Sequence, residues 1–411
     1  MAPIAPFDRT ELRGGEPCTE NTWVSNQCGR APEERRAVAD QAYPPGVRSL
    51  SSDVLKPDVF DAAIQAVTDA CQLARRIQTG LRPAADGGNP ADGTPRSLAK
   101  SDASPVTVAD FAIQSLVASR LERVLGRGRW RLVGEESAAV LRDPTQAAVR
   151  DAVIEAVQAV DRDLPSDDVL RSIDLGAEAA GAPTGSGAFW TIDPIDGTKG
   201  FLRGEQYAIC LAAIEAGEVI AAILGCPNIP EVGLPSASAP PYGILLVAER
   251  GAGCWQRSER APLERGTRVR RHPVEPDGEL VLCESVEARS MAPVRRERLL
   301  DAAGLRRRPV QLDSQCKYAL VARGDADIYL RLPRRSLPFE SIWDHASGIL
   351  CVEEAGGRTS DLEGRALDFG RGRSLVGNRG VIACAAEIHQ RLVKAAAEVD
   401  LDPQDGTRVS A

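Results

Sequence analysis

Between Phe189 and Glu249 the chain passes through four β-rich runs, Phe189 to Ile192, Tyr207 to Ile214, Val219 to Gly225 and Ile244 to Glu249, set apart by Gly and Pro. Antiparallel pairing fits their short connections, and the rest of the fold must cover the sheet they form. Ahead of it the spacing is helical. Phe60, Ile64, Val67, Cys71, Ala74 and Gln78 recur on one helix face, with Gly80 where a C-terminal cap is expected. Ala109 to Leu125 reads as a second helix, Trp130 to Val133 as a short strand, and 145–180 as helical with a break near Leu164-Pro165. Leu81 to Leu98 is a Gly/Pro/Asp-rich surface loop.

After about residue 262 the two periods alternate. Leu280 to Cys283 reads as a strand, 291–303 as a helix, Ser314 to Ala322 as a helix and Ala326 to Leu330 as a strand. Ile342 to Glu354 and Ala385 to Val399 read as helices. That alternation predicts an α/β lobe over 263–401 packed behind an α+β lobe over 53–262. Residues 1–52, polar and rich in Pro, Gly, Asn and Glu, are expected to be a poorly ordered extension, and 402–411 a tail.

Composition excludes several roles. A formal net charge of -8 disfavours a nucleic-acid polymer or an anionic membrane surface as partner. No run of eighteen apolar residues predicts a membrane span, and the first fifty residues lack the apolar centre of a signal peptide. Ten cysteines without a CxxC pair fit a reducing compartment; the cytoplasm is the expected location, with an organelle left open by the N-terminal extension. With only three histidines, acids, hydroxyls and lysines must carry any catalysis.

Acids gather where apolar elements end: Val108-Ala109-Asp110, Val133-Gly134-Glu135-Glu136, Ile192-Asp193-Pro194-Ile195-Asp196 and Ile342-Trp343-Asp344. Hard oxygen ligands in such number suit magnesium, which keeps waters and takes substrate phosphate into its shell. Pro194 fixes one backbone angle between Asp193 and Asp196, so both carboxylates and the Ile195 carbonyl can face one place. Gly197-Thr198 follows as an expected helix start, where free N–H groups would hold a phosphate. Taken singly each has a plainer reading: Asp193-Pro194 a turn, Glu135 a solvated junction, Asp110 a surface charge, Thr198 a cap, Asp344 a helix-end acid.

Three motifs in order, Gly134-Glu-Glu-Ser137, Asp193-Pro-Ile-Asp-Gly-Thr198 and Trp343-Asp-His-Ala-Ser-Gly348, resemble the lithium-sensitive, magnesium-dependent phosphatase superfamily of inositol monophosphatase and fructose-1,6-bisphosphatase. The resemblance covers roughly 58–400 and implies a two-lobed, layered αβαβα sandwich. Gly197-Thr-Lys-Gly-Phe-Leu-Arg-Gly204, Lys100 to Asp110 and Ser314-Gln-Cys-Lys-Tyr318 resemble the 3′(2′),5′-bisphosphate nucleotidase branch, which hydrolyses 3′-phosphoadenosine 5′-phosphate to AMP and phosphate.

Carried over by position, the resemblance implies Glu135, Asp193, the Ile195 carbonyl, Asp196 and Asp344 as ligands of two to three Mg²⁺ ions. It implies Asp110 and Thr198 as the pair that activates water. Gly197, Thr198, Ser314, Lys317 and Arg331 would hold a small phosphorylated nucleotide in a monomer, and Li⁺ would inhibit. Where the nucleotidases carry a histidine, this chain reads Cys283-Glu-Ser-Val-Glu-Ala-Arg-Ser290, and Arg289 is expected to stand in. The alternatives left open are an inositol phosphate phosphatase and a catalytically silent metal- or nucleotide-binding sensor.

Overall fold

The computed structural model describes residues 41–42, 56–81, 97–99, 105–178, 187–236, 240–261, 265–286, 293–333 and 339–401. The bulk of the expected extension and of the loop after Leu81, residues 100–104 of the Lys100 to Asp110 motif, Arg289 and the tail from 402 lie outside the described residues. In chain order the first half contains β1 (Gln41–Ala42), α1 (Pro57–Leu81), β2 (Ser97–Ala99), β3 (Pro105–Thr107), α2 (Val108–Leu125), β4 (Leu132–Gly134), α3 (Ala147–Gln158) and α4 (Ser166–Glu178). Then come β5 (Phe189–Asp196), α5 (Thr198–Arg203), β6 (Ala208–Glu215), β7 (Glu218–Cys226), β8 (Ile244–Glu249), β9 (Gly253–Ser258) and β10 (Arg265–Val269). The remainder is β11 (Glu279–Glu284), α6 (Pro293–Ala302), β12 (Arg306–Gln311), α7 (Cys316–Arg323), β13 (Ile328–Arg331), α8 (Ala346–Glu354), β14 (Arg358–Ser360), β15 (Val381–Cys384) and α9 (His389–Glu398).

The predicted sheet is there, and larger. Eight strands lie in the order β1-β10-β9-β8-β7-β6-β5-β4, antiparallel except for the β4–β5 pair. A second sheet of five strands, β12-β11-β13-β15-β14, has parallel pairs on both sides of β11. The inner strands of both sheets are apolar on both faces, as strands covered twice must be. Ile209, Leu211 and Ala213 of β6 meet α1 to α4, while Ala208, Cys210, Ala212 and Ile214 meet α7 and α8. The alternation repeats in β11, where Val281 and Cys283 face α7 and α8 and Leu280 and Leu282 face α6 and α9. The layers therefore run helix, sheet, helix, sheet, helix, the αβαβα sandwich that the sequence predicts.

Several boundaries differ from the sequence expectation: β2 takes Ser97 and Leu98 from the expected loop, and the predicted helix Ala385 to Val399 is α-helical only over His389–Glu398, after a 3₁₀ turn at Ala386–Ile388. Gly80 does not cap α1, which continues to Leu81. The predicted helix Ile342 to Glu354 is split into a 3₁₀ turn, Ile342–Asp344, and α8, with His345 at φ -135° between them. The cause of that split lies in the site.

Candidate active site

β5 ends in an irregularity. Asp193 lies opposite Cys210 and Asp196 opposite Ala208, so three residues of β5 advance against two of β6. Residues three apart on a regular strand point to opposite faces; the extra residue brings them back to the same one. Ile192 and Ile195 both enter the core against α1 and α2, and Asp193 and Asp196 face the α7–α8 side together. Pro194, lacking an N–H, fits the position that the bulge leaves unpaired.

The other carboxylates are brought to this point by side chains that the sequence alone did not single out. Gln114, one turn along α2 from Asp110, donates through Nε2 to the carbonyls of Glu136 (2.8 Å) and Ile173 (2.7 Å) and accepts from Glu136 N (3.0 Å). It thereby fixes the turn that carries half-buried Glu135. Gln315 does the same for Asp344. Its amide donates to the Trp343 carbonyl (2.7 Å) and accepts from Gly348 N (2.9 Å), taking backbone groups that a continuous helix would pair internally. That is why the helix opens at Asp344. The backbone N–H of Gln315 also donates to Asp196 Oδ2, so one residue touches the supports of two carboxylates.

Asp110 is fully buried, not a surface charge. It closes a capping box in which Thr107 donates to Asp110 Oδ2 through its backbone N (2.8 Å) and its hydroxyl (2.6 Å). β3 packs against α5, which brings this box beside the short helix beginning at Thr198. The Thr198 hydroxyl donates to the Ile195 carbonyl at 3.1 Å. Gly197 turns the chain there with φ +88°, and a Cβ would lie 2.9 Å from Ser314 Cβ, so a side chain is excluded both by conformation and by space. Ser314, itself at φ +67°, accepts from Cys316 N (3.2 Å).

Lys317 is buried, with Nζ 5.3 Å from the Tyr329 ring centre and 3.4 Å from the Leu312 carbonyl. Burial lowers its pKa, against the pull of Asp196 and Asp313. Arg331 grips Glu340 with two 3.0 Å hydrogen bonds. Behind this pair stand His345, whose Nδ1 is 2.6 Å from the Tyr318 hydroxyl, and Gly348, where a Cβ would strike the Tyr318 ring at 2.3 Å. The structure thus brings Asp110, Glu135, Asp193, Ile195, Asp196, Gly197, Thr198, Ser314, Lys317, Arg331 and Asp344 to one region. Arg289 lies outside the described residues.

The electrostatics of the site favour positive charge. Burial raises Asp193 well above the usual carboxylate range, and the charges of Glu135, Asp196 and Asp344 raise it further. Burial lifts Asp344 to about 7, with Asp196 adding to the rise. Asp196 is lifted by burial to about 6, moderated by Lys317 and the Gln315 N–H. Asp193 Oδ1 is buried with no hydrogen-bond partner among the described residues. Unsatisfied acceptors and like charges of this kind fit a hard cation. Among the described residues no three His, Cys, Asp or Glu side chains close into a ready-made cage. Magnesium does not require one, because water and substrate oxygens complete its shell.

The sequence model of the inositol monophosphatase family matches residues 63–401. A 3′(2′),5′-bisphosphate nucleotidase of Schizosaccharomyces pombe is 42% identical over 312 residues, covering 74% of this chain and 86% of that protein. One of Emericella nidulans is 37% identical, covering 74% of this chain and 90% of its own. Among solved structures, Thermotoga maritima IMPase superposes with a TM-score of 0.52 at 19% identity, covering 82% of this chain and 96% of that one, a likeness of fold.

Proposed function

The chain belongs to the inositol monophosphatase family, and on that premise we propose that it is a magnesium-dependent 3′(2′),5′-bisphosphate nucleotidase, removing the 3′-phosphate of 3′-phosphoadenosine 5′-phosphate to give AMP and phosphate. The sulfated form of that nucleotide fits the same reading. The relatives at 37–42% identity are named 3′(2′),5′-bisphosphate nucleotidases. The observation that carries it to this chain is the bulge that turns Asp193 and Asp196 to one face, with Glu135 and Asp344 charged toward the same point.

Two to three Mg²⁺ ions would be held by Glu135, Asp193, the Ile195 carbonyl, Asp196 and Asp344. Magnesium, when bound, acidifies water and neutralises charge on the phosphate and on the departing ribose oxygen. Thr107 holds Asp110 through Oδ2, so the carboxylate is oriented to take the proton of the attacking water, relayed by the Thr198 hydroxyl. Water oxygen bonds to phosphorus on the face opposite the ribose, the P–O3′ bond breaks, and the 3′ oxygen takes a proton from solvent, with no phosphoenzyme. The backbone of Gly197 and Thr198 binds the phosphate. Lys317, Ser314 and Arg331 orient the nucleotide, and Arg289 contributes where the branch usually has histidine. Li⁺ inhibits by taking one magnesium position.

A monomer is the functional unit in this reading. The eight described cysteines are free and buried, which suits the cytoplasm. No described helix is long and apolar enough to cross a membrane. The test is phosphate release from 3′-phosphoadenosine 5′-phosphate alongside inositol 1-phosphate and inositol 1,4-bisphosphate. A kcat/KM at least ~100-fold higher for the nucleotide is expected, about 2.7 kcal/mol of discrimination. Preference for an inositol phosphate would move the assignment to that branch, and no release from any would leave a binding protein.

A further inference from the structure

Arg373 lies between β14 and β15, far in sequence from every carboxylate of the site, yet its atoms reach two of the turns that carry them. Its Nη2 donates to the Gly134 carbonyl at 2.7 Å, the residue before Glu135. Its Nη1 donates to the Gly176 carbonyl at 3.2 Å, in the last turn of α4, where carbonyls lack helical partners. The guanidinium plane sits over the Trp343 ring, 4.5 Å from its centre, one residue before Asp344. The backbone adds to the tie: Ile342 N donates to the Arg373 carbonyl at 3.0 Å, Leu375 N to the Glu340 carbonyl at 2.9 Å, and Ser341 and Ser374 pair antiparallel.

One side chain therefore spans from the Glu135 turn, on the eight-stranded sheet, to the Asp344 turn, in the second half of the chain. Glu135 and Asp344 both repel Asp193, so before a cation arrives their supports must be held by other contacts. Gln114 and Gln315 each anchor one turn; Arg373 joins the two. Three of its attachments are of the kind a lysine cannot reproduce together, since they use two nitrogens of a planar fork and its flat face.

We propose that Arg373 is a positioning residue that fixes the spacing between Glu135 and Asp344 and thereby sets the cation affinity of the site, without touching nucleotide. This rests on the assignment of those two acids as metal ligands in the proposed function.

The test uses the full-length chain and its Arg373→Met and Arg373→Lys variants. Binding of Mn²⁺ is followed by loss of the free-ion electron paramagnetic resonance signal, independently of turnover. Metal-free melting temperature, Mg²⁺ activation midpoint and the KM for 3′-phosphoadenosine 5′-phosphate at saturating Mg²⁺ are measured in parallel. Arg373→Met is expected to weaken Mn²⁺ binding and raise the Mg²⁺ midpoint by roughly 10–100-fold, the range for residues that orient metal ligands. KM at saturating Mg²⁺ should move less than about threefold. Arg373→Lys, which keeps charge and stem, should weaken binding by a smaller factor, and it carries the test alone if the methionine variant does not fold. An unchanged Mn²⁺ affinity with only a lowered melting temperature would overturn the proposal, as would a rise confined to KM. Absence of Mn²⁺ binding by the unaltered chain would instead remove the metal-site reading beneath it.

Discussion

Asp196 accepts the Gln315 N–H, lies near Lys317 and sits at the end of the β5 bulge. Asn at this position keeps the acceptor and the volume but loses the charge. Asp196→Asn should lower kcat by ~10³-fold or more, about 4 kcal/mol, with an unchanged far-ultraviolet circular dichroism spectrum; near-normal turnover would remove Asp196 from the site. The acids were legible in the sequence because each ends an apolar run. Gln114, Gln315 and Arg373 were not. An amide or a guanidinium acquires its meaning from carbonyls 22 to 239 residues away, and nothing in its own neighbourhood marks it. Ser314-Gln-Cys-Lys-Tyr318 drew attention to Ser314 and Lys317, while Gln315 between them holds two of the carboxylate supports.

At the scale of elements, β5 and the opened helix at Asp344 bring acids together that would otherwise repel. The consequence for stability has a definite sign. Asp196 and Asp344 titrate near 6 and 7 in the folded, metal-free chain, above the ~3.9 of an unfolded aspartate. The folded state then binds more protons than the unfolded one between about pH 4 and 7, so their contribution is full below pH 4 and is lost as pH rises through that window. Mg²⁺ restores what deprotonation removes. The rise in melting temperature on adding Mg²⁺ should therefore be larger at pH 8 than at pH 5.5, as scanning calorimetry would measure; an equal or smaller rise at pH 8 would contradict the clustering. Sequence periodicity found the long helices, since each has an apolar face, and missed β1, β2, β3, β9, β10, β12, β14 and β15. These are short or charged strands: β12 reads Arg-Arg-Arg-Pro-Val-Gln, which resembles a loop until it is paired to β11.

For the whole molecule, the layer of α7 and α8 is shared between the two sheets. One side of it covers Ala208, Cys210, Ala212 and Leu224, and the other meets Val281, Cys283, Tyr329 and Val381. A chain ending at residue 262 would keep β4 to β9 of the eight-stranded sheet, lose β10 and with it the pairing of β1, and expose that apolar face, at about 25 cal/mol per Å² uncovered. We expect such a fragment to be insoluble or to melt without a cooperative transition in circular dichroism; a soluble fragment with sharp melting would mean that the division near 262 separates independent domains. The site is equally a property of the whole, with Glu135, Asp193 and Asp196 on one sheet and Asp344 supported by the helices behind it. In the proposed reaction these acids, loaded with magnesium, hydrolyse the 3′-phosphate of a nucleotide. The most direct measurement is release of phosphate from 3′-phosphoadenosine 5′-phosphate by the purified chain in Mg²⁺, after EDTA, and after Mg²⁺ is returned. Release should stop on chelation and resume on return; release that persists at full rate in EDTA would contradict a magnesium-dependent site.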